Sequence, residues 1–299
     1  MLKILIKRNI KLFFKDKGMF FTSLITPMIL LVLYISFLGN VYRMSFTDNL
    51  PTFLNIPDEI IEGLVGGQLI SSILAVSCVT VAFCSNMLMV QDKANGCIRD
   101  ITVSPVSGAT LAIAYYVATF VSTIIICFSA TALCLGYLAV IGWYLSITDV
   151  LLLIGDVLML TLFGTALSSV INFFLSTQGQ ISAVGSVVSS TYGFVCGAYM
   201  PISQFSAGLQ KVLAFLPGTH ATVLMRNHAM NGAISELEAI GVPADVINSL
   251  RDVIDCNLYF FDTRVSIGAM YAVIGITIAL LIGAYIILNA VKIKKSNIS

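Results

Sequence analysis

The feature that most constrains this chain is the length of its charge-free stretches. Gly18 to Tyr42, Gly63 to Gln91 and Ile101 to Thr148 contain no Asp, Glu, Lys or Arg. A helix needs about 20 apolar residues to cross the hydrocarbon of a bilayer. Only helices and closed barrels can cross it, because every backbone polar group must be satisfied within the protein. Outer-membrane strands alternate apolar and polar residues in segments of about ten, whereas these runs are unbroken, so a barrel is excluded. Composition excludes a soluble enzyme: 58% of the 299 residues are hydrophobic and 10% are charged, against about 25% charged in a typical soluble domain. The chain reads as an all-α membrane protein.

The stretches and their polar interruptions place six transmembrane helices. These lie at about Gly18–Leu38, Gly66–Val90, Gly108–Val140, Asp149–Phe174, the run from the 176–180 turn to about Met200, and Val265–Val291. Of the 16 Lys and Arg residues, eleven fall with the N-terminal segment, the loop after span two and the C-terminal tail. Arg43, Lys211, Arg226, Arg251 and Arg264 fall on the other face. Positive charge concentrates on the cytoplasmic side, so a multi-pass protein of the cell membrane with both termini in the cytoplasm is expected. The N-terminus resembles a secretory signal, but its apolar run is about 21 residues where a signal core has about 7–15. No small-residue cleavage site follows, and the segment is expected to be retained.

Four regions result. In residues 1–17, Leu2, Leu5, Ile6, Ile10, Phe13 and Phe14 recur at helical spacing, with Lys3, Lys7, Arg8, Lys11 and Lys15 between them. Such a helix lies on the membrane surface with its basic face toward lipid head groups. Residues 18–200 hold spans one to five, and 265–299 hold span six and a basic tail. The segment 201–264 is expected outside, with a re-entrant stretch between Pro201 and Pro217 too short to cross. An amphipathic helix starting near Pro243 follows it, carrying Val246, Ile247, Leu250, Val253 and Ile254 on one face.

The loop at 92–107 reads DKANGCIRDITVSPVS. It predicts a short cytoplasmic helix ending at Ser104-Pro105, with Asp92 near its start complementing the positive helix end and Pro105 fixing the turn into span three. This loop resembles the cytoplasmic signature of ABC-2 type permeases, the membrane subunits of many ATP-binding-cassette exporters. Asp92, Gly96, Ile98, Ile101, Ser104, Pro105, Val106 and Ser107 match that pattern, while Cys97 stands where Thr is usual and Arg99 where an acid is usual. In layout the resemblance extends over the chain, through Pro27 in span one and the Phe215-Leu216-Pro217 stretch leading to Arg226. It implies a cytoplasmic cassette ATPase as partner, gripping the loop through Asp92, Gly96, Ile98, Ile101, Ser104 and Pro105. It also implies a second permease subunit, the same or different, a pathway between the two, and outward movement of a hydrophobic or amphipathic substrate.

Other constellations are sparse. No G-x-x-x-x-G-K-[ST] occurs, so the chain has no phosphate-cradling loop of its own and is expected to be a transport subunit rather than an enzyme. No catalytic, cofactor, metal or nucleic-acid site is expected: the seven cysteines lack metal spacing. Asp156 is the one acid well inside a span; it either snorkels to the outer interface or lines the pathway. An ion-coupled secondary transporter, needing no ATPase, is the alternative. His220 and His228 are expected at the outer surface, and the pairs Gly63/Gly67 and Gly193/Gly197 at close helix contacts.

Overall fold

Turn and capping residues set the element boundaries. Asp16 accepts the Met19 N–H and opens the second helix, and Ser107 accepts the Thr110 N–H and opens the seventh. Ser146 with Asp149, and Thr177 with Gln180, form reciprocal capping boxes. The computed structural model describes residues 1–50, 56–104, 106–261 and 263–296. In order they form α1 (Leu2–Lys15), α2 (Lys17–Leu33), α3 (Gly39–Asn49), α4 (Asp58–Ser85), α5 (Met87–Ala94), α6 (Cys97–Val103), α7 (Gly108–Ile141) and α8 (Ile147–Phe174). There follow α9 (Gln178–Val195), α10 (Ala207–Leu213), α11 (Pro217–Ile240), α12 (Ala244–Val253), β1 (Tyr259–Phe260), β2 (Thr263–Arg264) and α13 (Ile267–Ser296). A π-turn at Tyr34–Leu38 joins α2 to α3, and there Tyr34 turns inward to donate to the Ala198 carbonyl at 3.0 Å.

Helix α4 is the axis of the fold. It packs against α2, α7, α8, α9 and α11 and is buried along nearly its whole length. Small residues allow this. A Cβ on Gly67 would stand 2.7 Å from the Ala229 carbonyl oxygen of α11, and one on Gly164 of α8 would stand 3.0 Å from the Val79 Cα. Gly63 is likewise a close-packing site, against Tyr144. Gly197 lies outside a helix, in a left-handed turn (φ +76°) just after α9, where a Cβ would stand 2.8 Å from Ile202.

Among the described residues, five helical stretches are long and apolar enough to cross a membrane: Lys17–Thr47, Asp58–Ala94, Gly108–Ile141, Ile147–Phe174 and Ile267–Val291. The run expected as span five is α9, which has 18 residues, ends at Val195 and lies outside that set. The larger departure is α11. Its sequence reads as mixed outer-segment chain, yet its 24 residues form a helix that is buried through its first half and packed on α4, α8 and α13.

Candidate functional site

The 92–107 loop is a pair of short helices, α5 and α6. Gly96 between them takes φ +79°, a conformation that costs glycine little, and Arg99 N–H then bonds to its carbonyl to start α6. Asp92 does not stand at the start of α6. It sits in the last turn of α5, buried, with Arg8 of α1 paired to both its oxygens and the Tyr115 hydroxyl of α7 donating to it at 2.6 Å. A buried carboxylate is tolerated only with such partners. The hydrogen bond to Asp92 holds the Arg8 guanidinium still more firmly protonated, and Arg8 therefore leaves the basic face of α1 to tie that helix to the loop.

The two faces of α6 differ. Ile98 and Ile101 are half-buried against a small cluster that includes Met89, Val106, Leu111, Tyr115 and Tyr285. The Ser104 hydroxyl donates to the Ile101 carbonyl at 2.6 Å and ends the helix; Pro105 lies outside the described residues. Arg99, Asp100 and Val103 face away and are exposed, Val103 by 88%. Sequence reasoning named the inward pair and missed Val103. The signal was available, since positions 99, 100 and 103 share the helix face opposite 98 and 101. Lys93 closes the C-terminal end of α8. Its ammonium donates to the carbonyls of Asn172 and Phe173, at 2.8 Å each, and of Leu175.

Deeper in the bundle, polar side chains join the helices. Asn86, at the break between α4 and α5, donates to the hydroxyls of Ser168 and Ser169 at 3.0 Å. Asp156 is enclosed between α8, α11 and α13: the Tyr271 hydroxyl donates to Oδ1 at 2.6 Å and His228 Nδ1 meets Oδ2 at 2.6 Å. Both carboxylate oxygens are thus engaged within the subunit, and the side chain is buried. His228 and His220 are both buried rather than superficial.

In the first half of α11, a second enclosed network holds Arg226, which is wholly buried. Its guanidinium donates to Asp255 Oδ2 at 3.1 Å and to the Gly197 carbonyl, and reaches Ser72 Oγ at 3.5 Å. Asp255 also accepts the backbone N–H groups of Ile202 and Ser203. Burial pushes the Asp255 carboxyl above its ordinary range, against the opposing pull of Arg226. Neighbouring Cys256 is buried, with its thiol pushed up to about 12. It is thus not the accessible thiol that an outer-segment placement would suggest.

Sequence comparison decides the kind of molecule these features belong to, for residues 1–229 match the ABC-2 type transporter family. The chain belongs to that family. It is therefore a permease subunit of an ABC transporter, a membrane transport component, and membership implies partnership with an ATP-binding-cassette subunit. No curated protein and no solved structure matches the sequence. In this ABC-2 permease the matched segment ends within α11, so α12, the β hairpin and α13 lie beyond it. The structure brings Asp92, Ile98 and Ile101 into one junction with α1 and α7, and it keeps Asp156 apart in the bundle interior.

Proposed function

We propose that this permease exports a hydrophobic or amphipathic substrate across the cell membrane, driven by ATP hydrolysed in a separate cassette subunit that docks on α6. The observation that carries this reading is the two-faced α6: one side fastened to the bundle, the other presenting Arg99, Asp100 and an 88% exposed Val103. Gly96 and Ser104 set the ends of that helix, Ile98 and Ile101 fix it to the bundle, and Asp92 passes its movement to α1 and α7. Pro105, outside the described residues, keeps the role its place in the motif implies.

The reading includes six crossings, both termini in the cytoplasm and α1 on the inner surface with Lys3, Lys7, Lys11 and Lys15 toward lipid. For α9, 18 residues at 1.5 Å each span about 27 Å, close to the hydrocarbon thickness of about 30 Å. Residues 201–264, with α11 re-entering beside α4, lie on the outer side. A second permease subunit, identical or different, covers the groove between α2 and α9. Along that groove Ser186, Ser189 and Ser190 face Ile29, Leu33 and Phe194. Serines on an outward helix face suit a partner or a pathway better than lipid tails, and the pathway is placed there. Asp156, with both oxygens engaged by its own subunit, acts as an interior brace rather than a pathway group, which disfavours the ion-coupled alternative.

The test is Val103→Glu combined with Asp100→Lys. Full burial of a Val side chain contributes roughly 1.5–3 kcal/mol, so the variant should lose most of its co-purifying vanadate-sensitive ATPase activity. Membrane insertion and elution as a folded species should not change. Equal ATPase recovery and equal export with the wild type refute docking on α6.

A further inference from the structure

We propose that α10 and the tip of the β1–β2 hairpin form an aromatic anchor seated in the membrane–water interface of the leaflet that the N-terminal end of α13 enters. The hairpin register gives its two faces different chemistry. Tyr259 pairs with Arg264 and Phe260 with Thr263. The Tyr259 hydroxyl donates to Asp252 of α12 at 3.0 Å, so this side is polar. Phe260 stands against Phe215 just after α10, edge to face with ring centres 4.7 Å apart, and Phe261 joins both rings at 5.0 and 6.3 Å.

This aromatic group is not core. Val212, Phe215 and Phe261 remain 58, 58 and 54% exposed, and Leu209 and Phe260 are exposed beside them. The Lys211 ammonium lies 5.5 Å from the Phe261 ring centre. Contiguous apolar surface of this kind marks an interaction site. Three observations select a lipid interface as the occupant. The chain runs from β2 directly into α13, whose length and composition make it a membrane span. The patch therefore lies near the level where that span leaves the hydrocarbon, and Ile267 of its first turn is exposed as well. Its chemistry, aromatic rings with a lysine folded over one of them, suits head-group level, where rings sit in the apolar boundary and an ammonium reaches water. Because α11 begins at Pro217, two residues after Phe215, the anchor would set the depth of the helix that carries Arg226 and His228.

The sequence contains one tryptophan, Trp143, so the test is optical. In a Trp143→Phe background, Phe261→Trp and, separately, Val212→Trp are reconstituted in nanodiscs. Quenching is measured with lipid brominated high on its acyl chains and with aqueous iodide. Ser249→Trp, on the exposed side of α12, is the water-facing control. Both reporters should be quenched strongly by the bromolipid and several-fold less than the control by iodide. Iodide quenching equal to the control, with no effect of bromolipid, overturns the proposal. Protection from both quenchers, the signature of a second copy or another protein covering the patch, overturns it as well. The outcome does not depend on transport or on ATPase docking.

Discussion

Removal of the Asp255 carboxylate should be among the most damaging single changes in the molecule. Arg226 has no exposure to water, and its remaining guanidinium contacts would be one carbonyl and a serine hydroxyl 3.5 Å away. Leaving one partner of a buried ion pair uncompensated costs about 3–5 kcal/mol. The N–H groups of Ile202 and Ser203 would lose their acceptor too, and a buried donor without a partner costs about 1–3 kcal/mol. Asp255→Ala should thus destabilise by at least about 4 kcal/mol. Arg226→Met should cost less, because Asp255 keeps two backbone donors and burial already favours its protonated form. The double variant Arg226→Met/Asp255→Ala, which carries neither charge, should be more stable than Asp255→Ala alone. Denaturant titration in micelles, with unfolding followed for all variants at pH 7, measures the cycle. An Asp255→Ala cost below about 1 kcal/mol, or single effects that simply add, would show that the pair is not coupled.

Two further effects follow from burial and from close packing. Burial lowers the His220 imidazole below its ordinary value of 6.5 while Nε2 meets the Ala214 carbonyl at 2.9 Å. Its contribution to stability is complete above pH 6.5 and is lost as pH falls through the depressed folded value, because the unfolded chain takes up the proton first. His220→Gln should flatten the decline in stability below pH 6.5, and an unchanged pH profile would rule out this linkage. Gly232→Ala would drive a Cβ into the Tyr144 carbonyl group and should destabilise by about 1–3 kcal/mol or more. Gly155→Ala, with nothing within 4 Å in the interior of α8, should stabilise by about 0.5–1 kcal/mol. The two melting temperatures should move in opposite directions.

Much of the helical layout was legible because its signals are local. Ser107, Ser146 and Thr177 cap α7, α8 and α9, and a cap is visible in four consecutive residues. The amphipathic pattern of α12 was equally plain. Helix α11 was not, since its His220, Arg226, His228 and Asn231 make it look like outer-surface chain. His220, Arg226 and His228 are acceptable inside only because Ala214, Asp255 and Asp156 meet them from other elements. At the candidate site, the motif located the short helix α6, and the structure adds intramolecular partners for Asp92. Nothing near Asp92 in sequence shows that Arg8, 84 residues away, holds it.

The sequence alone determined that this chain lives in a membrane and, through the 92–107 motif, which family it resembles. Charge-free length and residue spacing along one segment carry that information, and no fold is needed to read them. The tertiary structure decided which polar groups turn inward. Whether Asp92, Asp156, Arg226 or His228 meets solvent or a counter-group depends on elements far apart in the chain. A buried charge survives only where packing delivers its partner. The same packing chose the outward face of α6, because a helix leaves exposed what its own bundle does not cover.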